Sequence, residues 1–343
     1  MNLQAVIRPL IIATLLTFLP GFSNHDAGEV KKIRLMFYNV ENLFDTENDP
    51  ATDDEEFLPE GSAGWSRSRY LRKLNNVYKA IAASGEGDMP AVCGLCEVEN
   101  RRVLEDLLNL TPLKDKYSYG IVHEDSEDLR GIDVCLIYRK DLLNLEYARY
   151  FFPEDLRKAG LKSRSILYTK WNWCGTSFHL FLNHWPSRRG GVTATEDARI
   201  SFALAVKHFA DSLRKADGER TAVIIAGDLN CNPGSPEEKI LSDGDDSSFI
   251  NLIYSLFSKG KGTYRYNGIW ETPDQVLISK CLIDGYEGLQ TGQTDIRIID
   301  HQELLIRDTR YPGFRPYSTY YGFSYQGGFS DHLPVVLDLH CRR

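Results

Sequence analysis

Residues 222–230, Ala-Val-Ile-Ile-Ala-Gly-Asp-Leu-Asn, set an apolar, partly β-branched run directly before two polar side chains. A strand with one wet face alternates apolar and polar residues, so an unbroken apolar run reads as a strand covered on both faces. The run stops at Gly227, and Asp228 and Asn230 follow at once. Positions i and i+2 of an extended segment face the same way. A carboxylate and a carboxamide are thereby presented together at a strand mouth, where sheet-based folds tend to carry chemistry.

The same arrangement recurs along the chain. Strand-like runs are expected at 33–38, 91–95, 134–138, 178–182, 222–226, 275–278 and 335–339. Asn39 and Glu41 follow the first, Glu97 the second and His184 the fourth, while Asp331 and His332 stand just before the last. A single such residue reads as a cap or turn former. The full set reads as a site, provided the strands share an edge. Helical periodicity covers 69–83 through Leu71, Leu74, Tyr78 and Ile81, and a second helix spans about 195–215. Helices and strands mix without strict βαβ alternation, which favours sheets packed on each other under helices over a doubly wound parallel sheet.

Composition bounds the rest. With 343 residues and 42% hydrophobic content, the chain can bury a large core. Residues 1–23 read as an export signal: Arg8, an apolar run from Leu10 to Leu19, then small residues at Gly21 and Ser23. The alternative is an N-terminal anchor helix, although the run is short for a bilayer. The reading is a secreted or periplasmic protein whose residues 24–343 form one catalytic domain. Removing Arg8 would move the formal net charge from -8 to -9. That balance disfavours the broad basic face of a tight, non-specific nucleic-acid binder. Seven cysteines in a chain of this size are no disulfide framework, and Cys93 and Cys96 read as buried free thiols.

Glu97, Asp331 and Asp228 are hard oxygen donors, with Asn39 and Asn230 as neutral partners. Such a set suits Mg2+ or Mn2+ rather than zinc. Histidines and a spare carboxylate beside such an ion suit phosphoester hydrolysis, with one group activating water and another stabilising the leaving oxygen. The chain has no G-x-S-x-G, H-E-x-x-H, G-x-x-x-x-G-K-[ST] or G-x-G-x-x-G motif, which disfavours serine hydrolases, zinc proteases, P-loop enzymes and dinucleotide enzymes.

The ordered segments Asn39-Val-Glu41-Asn-Leu-Phe, Cys96-Glu97-Val-Glu99-Asn, Asn183-His184-Trp-Pro-Ser, Gly227-Asp228-Leu-Asn230 and Ser330-Asp331-His332-Leu-Pro resemble the endonuclease/exonuclease/phosphatase superfamily over about residues 31–341. The resemblance implies a four-layer α/β/β/α sandwich, with two mixed, mainly antiparallel sheets face to face and helices outside. It also implies metal-dependent phosphoester hydrolysis. By motif, Glu97 resembles the principal metal-binding glutamate, with Asn39 beside it and Asp331 near the metal. Glu41 stands where some members have a second acidic residue. Asp228 resembles the aspartate that orients or deprotonates water, and Asn230 its phosphate-binding companion. His332 resembles the phosphate-facing histidine, and Asp274 the carboxylate that holds its other nitrogen. His184 resembles the second histidine of the deoxyribonuclease and sphingomyelinase branches, and argues against the abasic-site endonucleases.

The expected activity is that of a phosphodiesterase or nuclease, with a phosphatase or lipid-headgroup phosphodiesterase as the alternative and an inactive binding protein last. The partner is a phosphoester substrate, and the chain is expected to be a monomer. Glu99 is the weaker rival to Glu97. His123, His179, His208, His301 and His340 match no motif and read as surface or packing residues. Arg130, Asp133, Arg188 and Arg189 face substrate or simply belong to turns. The acidic segment 45–60 reads as a lip near the metal or a solvated insertion, and the aromatic segment 311–329 as a packing loop under the site or a stacking surface.

Overall fold

The computed structural model describes residues 30–188, 191–244 and 248–342. The segment read as an export signal lies outside the described residues. Two sheets form the centre. The first has seven strands: from edge to edge, Leu289–Gln290, Val335–Arg342, Val30–Leu43, Val92–Val98, Asp133–Arg139 and Tyr119–Val122, with Ile296–Ile298 also pairing to Val335–Arg342. The second has six: Asn144–Phe151, Ile166–Trp173, Thr176–His184, Val223–Asp228, Asp274–Ser279 and Phe249–Asn251. Each sheet contains one parallel pair near its middle and antiparallel pairs elsewhere.

The continuous apolar run has a direct structural cause. Ile224 and Ala226 belong to the core shared with the first sheet, while Val223 and Ile225 pack with Phe202, Ala203, Val206 and Ala210 of the helix Val192–Asp217. Both faces are covered, so no position from Val223 to Ala226 is polar. On the far side, the helix Arg67–Gly85 buries Tyr70, Leu74, Val77, Ala80 and Ile81 in the first sheet's core. It begins where the Ser66 side chain accepts the Arg69 N–H. The order is therefore helix, sheet, sheet, helix, as the resemblance implied. The sheets approach closely: a Cβ on Gly94 would stand 2.7 Å from Leu182.

The parallel pairs fix where chemistry can sit. In the first sheet Asn39 lies beside Cys96, and in the second His184 lies beside Asp228. Parallel neighbours end at the same edge. The antiparallel strands that begin at Asp274 and Val335 start at that same edge, so one end of the sandwich collects residues from all six segments.

Cys135, Cys231, Cys281 and Cys341 are buried free thiols, and so are Cys93 and Cys96. Burial pushes both thiols up, so they remain protonated packing groups.

Candidate active site

Six strand ends converge on one pocket of about 520 Å3, lined by Asn39, Glu97, His184, Asp228, Asn230, Asp331 and His332. Asp274 stands behind His332. Its Oδ2 lies 2.7 Å from His332 Nδ1 and also accepts the Thr263 hydroxyl at 2.5 Å. The other imidazole nitrogen, Nε2, faces Asp228 Oδ2 at 3.9 Å. Burial alone would discharge His332, but Asp274, Asp331 and Asp228 outweigh it and hold the ring protonated well above its usual range. His184 behaves oppositely. Burial, reinforced by Arg164 and Arg130, keeps it neutral. Its Nε2 lies 3.6 Å from Asp228 Oδ2 and 3.8 Å from Glu97 Oε1, and its Nδ1 is buried without a hydrogen-bond partner.

Asp228 is held on both oxygens. Oδ2 accepts Asn39 Nδ2 at 3.0 Å, and Oδ1 accepts the Asn230 backbone N–H at 2.9 Å. Burial nevertheless raises it to about 6, with His332 pulling the other way. Asn230 donates one amide hydrogen to the Trp185 carbonyl at 2.9 Å.

Local backbone geometry aims these groups. Glu41, Asn42, Glu97 and Asn230 have φ of 54°, 52°, 63° and 50°. A non-glycine residue there costs roughly 1–3 kcal/mol and persists where surrounding contacts impose it. Three of these residues sit at register shifts, between Asn39 and Leu43 and between Cys96 and Val98. Such bulges re-aim a side chain out of the ladder. The Asn42 N–H then closes on Glu97 Oε2 at 3.0 Å, and Asn39 Nδ2 reaches Glu97 Oε1 at 3.4 Å.

Glu97 and Asp331 are the carboxylates that could hold a cation. Burial raises Asp331, and Glu97 adds repulsion against partial relief from His332 and Lys73. Mutually repelling carboxylates among oxygen donors fit a hard divalent ion. A second close group, Asp228, Asp274 and His332, has its ligand atoms within 4.8 Å of one another. There His332 Nδ1 is already engaged by Asp274, which suits an acid–base pair.

Other expected residues divide. Arg130 and Arg188 line the pocket, with Arg130 beside Asp128 at 3.5 Å and Arg188 ion-paired to Glu271. Arg189 lies outside the described residues. Asp133 turns away, accepting the Ser126 N–H at 2.8 Å and meeting His123 at 3.1 Å. Glu99 accepts the Asp45 N–H and does not line the pocket. Glu41 points beneath the site, accepting the Thr319 and Tyr320 N–H groups at 2.6 and 3.1 Å. No residue of 45–60 or 311–329 lines the pocket. Asp45 and Asp54 are turned inward, and the aromatic segment packs under the site, where buried Lys73 donates to Thr319 Oγ1 and the Phe329 carbonyl. His123, His179 and His340 are bonded to Asp133, Tyr168 and Asp295.

Three functional features escaped the sequence reading. Arg164, 4% exposed, donates to Asp128 at 3.1 Å and to the Trp185 carbonyl at 2.6 Å, so it ties the Arg130 turn to the carbonyl that holds Asn230. Its Ser-Arg-Ser setting gives no local signal. Lys73 hides inside a helix whose Arg67, Arg72 and Lys79 are exposed. The third, a hairpin at 264–271, was legible: Asn267-Gly268 between aromatic residues is a strong two-residue turn signal.

Comparison with known proteins agrees with this architecture. Residues 34–341 match the model of the endonuclease/exonuclease/phosphatase family. A family protein from Bacteroides thetaiotaomicron is similar in structure, with 13% identity, 92% of this chain and 96% of that chain covered, and a TM-score of 0.55. A mannosyl-6-phosphatase from Bacteroides thetaiotaomicron matches with 13% identity, 90% and 99% coverage and a TM-score of 0.55. So does D. rerio TDP2 complexed with single-strand DNA product, again with 13% identity, 90% and 98% coverage and a TM-score of 0.55. No curated protein matches by sequence. With the layered sandwich, the strand-end pocket and a family match across nearly all described residues, this chain belongs to the endonuclease/exonuclease/phosphatase family.

Proposed function

We propose that the protein is a Mg2+- or Mn2+-dependent phosphoester hydrolase, acting first as a phosphodiesterase on small or single-stranded nucleotide-type esters. The observation that carries this reading is the convergence of Asp228, the His332–Asp274 pair, neutral His184 and the Glu97–Asp331 carboxylates on one pocket. In this reading Asp228 accepts the proton of the attacking water. Protonated His332, held by Asp274, bonds the phosphoryl oxygen and offsets its growing charge. Asn230 and His184 donate hydrogen bonds to the remaining phosphate oxygens and fix the ester in line with the water. Glu97 and Asp331, with Asn39 alongside, hold the cation. When bound, that ion neutralises phosphate charge and acidifies water.

Long duplex DNA is the poorer substrate, since both pocket arginines already face carboxylates and the net charge is -8. A phosphomonoesterase reading is favoured by the concave pocket and by likeness to the mannosyl-6-phosphatase. Turnover of bis-p-nitrophenyl phosphate, oligonucleotides, plasmid DNA and sugar phosphates with Mg2+, Mn2+ or EDTA separates these readings. Diester turnover lost with EDTA supports the first, and turnover of monoesters alone supports the second. Glu97→Gln should shift the Mg2+ titration to higher concentration; an unchanged titration removes Glu97 from the ion.

A further inference from the structure

The hairpin Tyr264–Tyr266 and Ile269–Glu271 forms one wall of the pocket. Its turn residues Asn267 and Gly268 have φ of 47° and 81°, the doubly left-handed conformation of the tight turns that match strand twist. Register pairs Tyr264 with Glu271 and Tyr266 with Ile269. Directly paired residues share a face, and so do residues two apart. Tyr264, Tyr266, Ile269 and Glu271 therefore stand on the pocket face, with Arg265 and Trp270 on the other.

That face is graded. Tyr264 sits deepest, its ring centroid 4.9 Å from that of His332. Glu271 beside it holds Arg188. Towards the rim, Tyr266 is 57% exposed and Ile269 is 68% exposed. A large ring left in water beside a polar site invites an apolar surface to cover it. The platform is rigid from behind: Arg265 donates to the Phe314 and Pro312 carbonyls at 2.8 and 2.6 Å, and a Cβ on Gly268 would meet Tyr311 at 2.8 Å. A rigid ring platform costs little ordering on binding.

We propose that Tyr266, with Ile269, forms a subsite for the organic group of the phosphoester, and that this group carries a ring with an open apolar face, a nucleobase or a pyranose. The inference rests on the phosphoester reading above and adds the substrate class. The phosphate lies at His332, and the ring stacks outward along the hairpin. The test is calorimetric binding to the Mg2+-loaded protein of adenosine monophosphate, mannose 6-phosphate, glycerol 3-phosphate and inorganic phosphate. One or both ring-bearing esters should bind about tenfold more tightly than glycerol 3-phosphate, as a single stacked ring commonly supplies. The ester that gains identifies the ring. Tyr266→Ala should erase the difference without weakening inorganic phosphate, and Tyr266→Phe should restore it. Equal affinity for all three esters, or a preference that survives Tyr266→Ala, overturns the subsite. Binding is read without turnover, so failure to hydrolyse any ester counts against the enzymatic reading and leaves the subsite result standing.

Discussion

Asp228 and His332 carry opposite proton states in one buried site, and that pairing makes the chemistry testable at single residues. Asp228→Ala should lower turnover by about 10²–10⁴-fold while the fold survives, the range expected for a positioned base. Circular dichroism and steady-state kinetics check both halves. Because burial lifts Asp228 to about 6, and the base works ionised, kcat/KM should climb as pH rises through that region. A bound cation can only move that limb downward. His332, kept protonated by Asp274, should hold the plateau on the alkaline side. Asp274→Asn should lower kcat and leave Mg2+ binding in place, since the carboxylate orients and charges the ring. The line of Asp228, Asn230, Glu97 and His332 was legible because each follows or precedes an apolar run. Arg164 was not, because its partners, Asp128 and a backbone carbonyl, lie 36 and 21 residues away.

The decisive elements are the parallel strand pairs. Thr176–His184 and Val223–Asp228 approach so closely that a Cβ on Gly227 would stand 2.4 Å from the Asn183 carbonyl oxygen. Backbone cannot swing aside. Gly227→Ala should destabilise by roughly 1–3 kcal/mol and part His184 from Asp228, read as a lower Tm together with lost turnover. The helix Arg67–Gly85 makes a second such joint. Lys73 lies 4.0 Å from Glu41 and is bonded to the aromatic segment. Lys73→Met should leave a buried carboxylate uncompensated and lower stability by about 3–5 kcal/mol, while Lys73→Met combined with Glu41→Gln should recover much of it. Apolar runs revealed the strands, but the bulges at Glu41 and Glu97 come from tertiary contacts that no local pattern encodes. The Asn267-Gly268 turn shows the reverse case, a local signal strong enough to place a pocket wall.

Across the whole molecule, stability and chemistry sit in different places. Arg34 and Asp338 face each other across the first sheet, joined at 2.6 Å, and Arg34 also donates to the Ser84 carbonyl at the end of the Arg67–Gly85 helix. Burial opposes ionisation of Asp338, yet Arg34 and Arg297 prevail and hold it at about 2, against 3.8 unperturbed. A depressed carboxylate contributes stability above its unfolded value and loses it as pH falls towards the folded one. The protein should therefore lose about 2 kcal/mol between pH 4 and pH 2 through this group, and Asp338→Asn should flatten that part of the Tm–pH curve. The layered fold was readable from the unbroken apolar strand, since a strand with no polar face needs cover on both sides. The ring-bearing wall was readable only in its Asn267-Gly268 turn, since the loop that braces the hairpin from behind joins it through Arg265 from more than forty-five residues away. The measurement that bears most directly on the account is phosphoester turnover by the wild type and Asp228→Ala, with Mg2+ and with EDTA. The wild type should turn over at least one phosphoester with Mg2+, a turnover abolished by EDTA and reduced at least a hundredfold by Asp228→Ala. Turnover that persists in EDTA, or a near wild-type rate in Asp228→Ala, would contradict it.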